Sequence, residues 1–225
     1  MRWRSITAVI FDLDGTLIKS NIDFVKMKNM IIAYFRSLGV DSEDFSSSRP
    51  TFEIVQKGIE LLRKKLSEEI VSKARRHINE IMTDVEMEQV DSVSVIPGVS
   101  DTMRWLKEKG IKIGILTRSC REYALKSLNT TGLSKLVDFV AARDDINRPK
   151  PDPYQVIMLT QKLNVKLEET LMVGDHPLDA LCAKNSNVRF IGVLTGSSDA
   201  DAFKKIGCDV IGSVNDLPKL LLRGS

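Results

Sequence analysis

The stretch Asp12-Leu13-Asp14-Gly15-Thr16 directly follows the apolar run Ala8-Val9-Ile10-Phe11. The apolar run predicts a buried strand, and because side chains alternate along a strand, the two carboxylates at its end project toward one face. Gly15 lets the backbone turn sharply there without a Cβ clash. Such a pair favours a divalent cation, and open α/β sheets bind ligands at the carboxyl ends of their strands. Since buried carboxylates are costly unless paired or metal-bound, this strand end is predicted to be a functional site.

The composition is typical of a soluble globular protein. The chain has 225 residues, of which 43% are apolar and 28% charged, enough for one sizeable domain or one domain with a smaller insertion. Its net charge of +3 is too small to indicate a nucleic acid or an anionic membrane as a partner. The sequence carries no signal for an oligomeric state.

Membrane and export signals are not expected either. No run approaches the roughly 20 apolar residues of a membrane span, and the first apolar segment runs straight into Asp12, unlike a signal peptide. The chain has an odd number of cysteines, Cys120, Cys182 and Cys208, which are widely spaced and form no CxxC motif. This usage favours a reducing compartment, and we predict a cytoplasmic protein.

Hydrophobic periodicity divides the chain into a helical insertion and an alternating α/β part. Residues 18–95 carry apolar residues at helical spacing, with a stop at Gly39 and a new start at Ser67, which predicts a small α-helical cap. Residues 1–17 and 96–225 alternate short apolar strands with helices, which predicts a doubly wound parallel sheet of the α/β class. The strands predicted after the first are 111–117, 138–142, 170–175, 189–194 and 209–211.

Polar residues mark the ends of further predicted strands. Thr117 closes the strand over 111–117, and Lys150 lies in the run Arg148-Pro149-Lys150-Pro151. Asp175 and Asp179 lie in a GDxxxD pattern that begins at the end of another strand. Because the carboxyl ends of parallel strands open on the same edge, we expect these residues to converge with the first carboxylate pair.

The four motifs, in this order, resemble those of the haloacid dehalogenase-like hydrolase superfamily. Its DxDGT signature matches residues 12–16, its hydroxyl residue Thr117, its lysine Lys150, and its GDxxxD pattern residues 174–179. The resemblance covers nearly the whole chain, and a helical cap inserted after the first motif is similar to the phosphoglycolate phosphatase-like branch. It implies a Rossmann-like core and an enzyme, a phosphoric monoester hydrolase.

The resemblance also implies how the residues would act. Asp12 would attack phosphorus and form an aspartyl-phosphate, and Asp14 would protonate the leaving oxygen and then deprotonate the attacking water. Thr117 and Lys150 would bind the phosphoryl oxygens. The expected substrate is a small phosphorylated metabolite, such as a phosphoglycolate-like phosphomonoester.

The implied cofactor is Mg²⁺, which prefers oxygen ligands. Its ligands would be Asp12, Asp175 and, if the family pattern holds, the backbone carbonyl of Asp14. Asp179 would support this set by orienting Lys150 or a metal-bound water.

Each residue also has a simpler interpretation. The first carboxylate pair could be a turn pair at the end of a strand or part of a calcium loop, although an EF-hand needs its glycine at the sixth position and Gly15 is the fourth from Asp12. Thr117 alone could be a helix cap, Lys150 alone a solvated loop residue, and Asp179 alone a surface residue of a helix. His176 either tunes substrate binding or is merely exposed near a helix start, and any contact of Arg118 with substrate is left open.

Other activities of the superfamily are distinguished by Asp14. Dehalogenases and phosphonatases lack this second aspartate, so its presence favours phosphoester hydrolysis or phosphoryl transfer. A phosphomutase of the β-phosphoglucomutase type is the alternative, since it shares the fold and motifs. A non-catalytic phosphate-binding module is a third hypothesis, but it predicts the loss of at least one chemical residue, and all of them are present.

Overall fold

The computed structural model describes residues 6–145, 148 and 150–222. These residues form two compact units: one contains the described residues up to Ser20 and from Val90 onward, and the other is Asn21–Gln89. Of the helices in the part of the chain that is described, none is long and apolar enough to cross a membrane.

The first unit is built on a six-stranded parallel sheet. Its strands lie in the order β5-β4-β1-β6-β7-β8, and two further short strands, β2 and β3, pair antiparallel. The strands are β1 (Ala8–Phe11), β2 (Ile18–Lys19), β3 (Ser94–Val95), β4 (Lys112–Leu116), β5 (Phe139–Ala141), β6 (Thr170–Gly174), β7 (Arg189–Val193) and β8 (Val210–Ile211). The predicted α/β class with a parallel sheet is confirmed.

Helices connect the strands of this unit and make up the other unit. The helices are α1 (Phe24–Ser37), α2 (Thr51–Lys65), α3 (Glu68–Met87), α4 (Val99–Glu108), α5 (Arg121–Thr130), α6 (Tyr154–Leu163), α7 (Pro177–Asn185), α8 (Ala200–Lys205) and α9 (Leu217–Leu222). Helices α1 to α3 belong to Asn21–Gln89, and α4 to α9 belong to the sheet-containing unit.

Strand β1 lies at the centre of the sheet, between β4 and β6. Its residue Ile10 is in register with Gly114 on one side and Met172 on the other, and all four residues of β1 are completely buried. A Cβ on Gly114 would lie 2.6 Å from the Leu159 side chain of α6, so glycine allows the helix to pack closely against the sheet. Because both faces of β1 are buried, its sequence is an uninterrupted run of apolar residues.

The helical unit is a bundle of α1, α2 and α3. Gly58 on α2 packs against Phe35 on α1, since a Cβ there would lie 2.2 Å from the Phe35 ring. Helix α3 begins at the predicted position, but the Ser67 side chain makes no capping hydrogen bond. Glu68 and Glu69 in the first turn stabilise this start through the helix dipole.

Candidate active site

Lys150 connects two carboxylates at the carboxyl edge of the sheet. Its Nζ donates hydrogen bonds to Oδ1 of Asp12 at 2.5 Å and to Oδ1 of Asp179 at 2.6 Å. Asp12 directly follows β1, and Asp179 lies in the first turn of α7. The lysine side chain is only 1% exposed. This arrangement brings together three residues that are far apart in the sequence, as their motif positions predict.

Asp175 lies at the end of β6, beside β1, and is held by hydroxyl and amide donors. Its Oδ2 accepts hydrogen bonds from the Ser197 backbone N–H at 2.8 Å and from Ser197 Oγ at 3.1 Å, and Thr16 Oγ1 lies 3.4 Å from Oδ1. Two glycines make room for this carboxylate, because a Cβ on Gly15 or Gly196 would lie 2.8 Å or 2.0 Å from Oδ2. The side chain is therefore fixed both by its donors and by the close approach of the backbone.

Carboxylates of Asp12, Asp175 and Asp179 form an acidic cluster in which oxygens from all three lie within 4.8 Å of one another. The three carboxylates outnumber the cations near them, which are the ammonium of Lys150 and the guanidinium of Arg118, whose charge interacts with Asp179 and Asp12. Burial, together with the charges of Asp179 and Asp175, raises the pKa of Asp12 despite the opposing charge of Lys150. Burial also raises the pKa of Asp175. An all-oxygen cluster in which the carboxylates outnumber the neighbouring cations is suited to a divalent cation.

Lys150 itself remains a cation. Burial alone would lower its pKa, but the charges of Asp12 and Asp179 and their hydrogen bonds outweigh burial and raise the pKa above its ordinary value. The second oxygen of Asp179 accepts a hydrogen bond from the His176 backbone N–H at 3.1 Å. Both oxygens of Asp179 are thus engaged by the protein, which fits the predicted task of orienting Lys150.

Asp14 makes a different set of contacts from Asp12. Its Oδ1 accepts a hydrogen bond from the Tyr123 hydroxyl at 2.8 Å, and its Oδ2 accepts one from Ser119 Oγ at 2.9 Å. Burial raises the pKa of Asp14, although hydrogen bonds from Tyr123, Ser20 and Ser119 counteract the rise. A raised pKa suits a carboxyl group that must both give and take a proton.

Thr117 follows β4, next to the strand that carries Asp12. Its backbone N–H donates to the Ala141 carbonyl at 3.0 Å, and its Oγ1 accepts from the Ser119 N–H at 3.0 Å. The hydroxyl proton can therefore be donated to a ligand. The helix-cap interpretation of Thr117 is wrong, because the Cys120 side chain caps α5 by accepting from the Tyr123 N–H.

His176 caps α7. Its Nδ1 accepts a hydrogen bond from the Leu178 N–H at 3.1 Å, and with Asp179 it completes a capping box. Because Nδ1 is an acceptor, the neutral ring carries its proton on Nε2. Burial lowers the pKa of His176, in keeping with the neutral form, so its position near the helix start has a structural cause.

Some residues of the site were not predicted from the sequence. Ser119, Tyr123 and Ser197 each donate to one of the carboxylates, as Thr16 does, and only Thr16 belongs to a quoted motif. Ser197 lies in the loop that follows β7, and its sequence context gives no signal that it reaches Asp175. Pro149, one of the two prolines that flank Lys150 in the sequence, lies outside the described residues.

Comparison with known proteins identifies the family. Residues 9–193 match the haloacid dehalogenase-like hydrolases, and this match covers most of the chain and all four motifs. The chain belongs to the haloacid dehalogenase-like hydrolase family. The predicted membership and the prediction of a hydrolytic enzyme are confirmed. An EF-hand is excluded, since the first carboxylate pair of this hydrolase follows a strand of the parallel sheet and not a helix.

Relatives of this hydrolase are named as phosphatases. Pyrophosphatase PpaX of Halalkalibacterium halodurans is 30% identical over 220 residues, covering 96% of this chain and 95% of the relative. Validoxylamine A 7'-phosphate phosphatase of Streptomyces hygroscopicus subsp. limoneus is 27% identical over 201 residues, covering 86% and 87%. Both relatives match along nearly their whole length.

A solved structure shares the fold. The crystal structure of a Bacteroides fragilis protein assigned to the haloacid dehalogenase-like hydrolases superposes with a TM-score of 0.72 at 23% identity, covering 94% of this chain and 99% of that one. This similarity extends over both the sheet-containing and the helical segments of the chain and confirms the fold class.

Proposed function

We propose that this hydrolase is an Mg²⁺-dependent phosphatase that removes the phosphoryl group from a small phosphorylated metabolite through an aspartyl-phosphate intermediate. The observation that carries the proposal is the hydrogen bond of Lys150 to Asp12, beside Asp175 in the acidic cluster. In this pair, the carboxylate that would act as the nucleophile lies next to a fixed positive charge. Asp14, two residues further on, supplies a second carboxyl group with separate hydrogen-bond partners.

The acidic cluster supports Mg²⁺ as the cofactor. Asp12 and Asp175 would hold the ion, with the Asp14 backbone carbonyl as the third protein ligand, while Asp179 is engaged with Lys150 and the His176 N–H. When bound, Mg²⁺ screens the negative charge of the phosphoryl group that a carboxylate must approach. The excess of carboxylates over the cations Lys150 and Arg118 is the property of this chain that supports a divalent ion.

The chemistry assigned to the residues has two halves. In the first half, an Asp12 oxygen forms a bond to phosphorus, the bond from phosphorus to the leaving oxygen breaks, and Asp14 gives its proton to that oxygen. In the second half, water attacks phosphorus, Asp14 takes a proton from the water, and the bond to Asp12 breaks. Lys150 and Thr117 bind the phosphoryl oxygens, where charge accumulates in the transition state.

The proposed substrate is a phosphoglycolate-like phosphomonoester. A relative named for a phosphate monoester supports this class, whereas the relative named as a pyrophosphatase makes inorganic pyrophosphate the principal competitor. We also propose a cytoplasmic location, which the odd number and wide spacing of Cys120, Cys182 and Cys208 support, since this usage favours a reducing compartment.

The test is a measurement of phosphate release with and without Mg²⁺. The panel contains p-nitrophenyl phosphate, phosphoglycolate, other phosphorylated metabolites and inorganic pyrophosphate, and Asp12→Asn is compared with the exposed control Asp101→Asn. We expect the wild type and the control to release phosphate from monoesters in a Mg²⁺-dependent manner, and we expect Asp12→Asn to release none. If the protein hydrolysed pyrophosphate but no monoester, the proposed substrate class would be wrong. If Asp12→Asn kept full activity, the assignment of Asp12 as the nucleophile would be wrong.

The same protein is incubated with β-glucose 1-phosphate and a bisphosphate primer to test the mutase alternative. The phosphatase proposal expects free phosphate and no isomerised sugar. Isomerised sugar would establish the phosphomutase instead, and a folded protein inert toward every phosphoester with Mg²⁺ would favour the non-catalytic module.

A further inference from the structure

Two hydroxyl groups from one short segment hold the carboxylate of Asp14. Tyr123 donates to Oδ1 at 2.8 Å and Ser119 donates to Oδ2 at 2.9 Å. Ser119 immediately precedes Cys120, the N-cap residue of α5, and Tyr123 lies in the first turn of the helix. Each oxygen of the proposed proton-transfer group thus has a donor from the start of the same helix.

The Tyr123 hydroxyl is placed by a rigid part of the structure. The residue is completely buried, and its backbone N–H donates to Cys120 Sγ at 3.4 Å, which ties it to the N-terminus of α5. Groups held on helices and strands by packed neighbours are positioned more accurately than groups on loops. The hydroxyl therefore fixes the direction of the Asp14 carboxylate relative to the end of β1.

We propose that Tyr123 is the positioning residue for proton transfer by Asp14, with Ser119 as its partner. This inference rests on the proposed phosphatase function. The two hydroxyls keep the Asp14 carboxylate in one orientation after its proton has passed to the leaving oxygen, and in that orientation it takes a proton from water.

If Tyr123 only packed the core, removal of its hydroxyl would leave proton transfer by Asp14 unchanged. The ring fills space in the core whether or not it carries a hydroxyl, so Tyr123→Phe retains the packing and removes the hydroxyl with its hydrogen bond to Asp14. Loss of a supporting hydrogen bond to a functional group costs about 10- to 100-fold. The change should slow both steps in which Asp14 transfers a proton, and the first turnover isolates the step in which Asp14 gives a proton to the leaving oxygen.

The experiment measures the first-turnover rate of the full chain with Mg²⁺ by rapid mixing. Phenyl phosphate has a leaving oxygen that needs a proton, whereas 2,4-dinitrophenyl phosphate releases a stable anion that does not. We expect Tyr123→Phe to slow release from phenyl phosphate by about tenfold or more while changing release from 2,4-dinitrophenyl phosphate by less than about twofold. The substrate concentration that gives half of the maximal first-turnover rate should be unchanged for both. The exposed Tyr154→Phe is the matched control and should behave as the wild type.

Equal rates of Tyr123→Phe and wild type on both substrates would overturn the inference, as would an equal loss on both. Ser119→Ala is the second variant, and it should show the same dependence on the leaving group even if Tyr123→Phe does not fold. Asp14→Asn separates the two claims: if it is impaired on phenyl phosphate while Tyr123→Phe and Ser119→Ala are normal, only the positioning role fails. A wild-type protein without Mg²⁺-dependent hydrolysis would overturn the proposed function and this role with it.

Discussion

Lys150 Nζ lies 2.5 Å from Oδ1 of Asp12, and the pair is nearly excluded from solvent. A buried ion pair is costly to break, because the remaining charge stays buried without a partner. Here the partner of the lysine is the proposed nucleophile, and Asp179 on the other side keeps the ammonium in place. The stability of this region and its chemistry therefore depend on the same contacts.

Replacement of Lys150 by Met should be strongly destabilising. It removes the ammonium that is ion-paired with both Asp12 and Asp179 and leaves these carboxylates buried, so the free energy of unfolding should fall by about 3–5 kcal/mol. Denaturant unfolding without Mg²⁺ measures this, with the exposed Lys162→Met as the control. Equal stability of the two variants would show that Lys150 does not offset the charge of the cluster.

Ser197→Ala should weaken Mg²⁺ binding. The variant removes the hydroxyl donor to Asp175 Oδ2 but keeps the backbone donor, and loss of such a supporting contact lowers metal affinity about 10- to 100-fold. Calorimetric titration with Mg²⁺ measures the effect, and Ser198→Ala on the adjacent residue is the control. Unchanged Mg²⁺ affinity in Ser197→Ala would argue against Asp175 as a ligand.

Gly15→Ala should lower the free energy of unfolding by more than the strain of a left-handed backbone conformation alone would. Gly15 and Gly110 have φ of +82° and +71°, but a Cβ at Gly15 would meet Asp175, whereas nothing lies within 4 Å of one at Gly110. Gly110→Ala should cost about 1 kcal/mol of the free energy of unfolding, and Gly15→Ala should cost more and also reduce kcat. Comparable stability and activity of the two variants would show that Asp175 moves freely.

Asp138→Asn should produce a pH-dependent loss of stability. Partial burial raises the pKa of Asp138, but hydrogen bonds from Lys107 and the Ile113 N–H and the charges of Lys107 and Lys112 outweigh it and lower the pKa overall. A lowered native pKa stabilises the fold above the unfolded-state value of about 3.9, and the stabilisation is lost as the pH falls through the native pKa.

The difference in unfolding free energy between wild type and Asp138→Asn should thus be about 1 kcal/mol at pH 7, since the pair is partly solvated, and should shrink below about pH 4. Denaturant unfolding across this range measures it, and Asp101→Asn on the exposed face of α4 is the control. A difference that stays constant with pH would exclude the ionic contribution of Asp138.

The core of the fold and the acidic cluster could be predicted from the sequence because both depend on strong local patterns. An apolar run such as Ala8–Phe11 indicates a strand buried on both faces, and motif residues at the ends of parallel strands meet at one edge. The strands β2 and β3 were not predicted, since two residues are too few to show periodicity. Helix α9 was also missed, because its six residues do not establish a helical period.

The contacts of Asp14 could not be predicted in the same way. Tyr123 is an aromatic residue at a core position of a helix, and its sequence context does not show where its hydroxyl points. Its meeting with Asp14 depends on how α5 packs after β4, which is a tertiary property. Ser197 was missed for a related reason, since its donation to Asp175 depends on the path of the loop that follows β7.

The central claim is that Asp12 is the nucleophile, and trapping of the phosphorylated enzyme tests it most directly. The full chain with Mg²⁺ is mixed with 2,4-dinitrophenyl phosphate, and the reaction is quenched in acid within the first turnover. The protein is then digested, and the masses of the peptides are measured by mass spectrometry. The account predicts the added mass of one phosphoryl group on Asp12, and its absence in Asp12→Asn. Continued turnover with no phosphoryl group on Asp12, or a phosphoryl group on another residue, would contradict it.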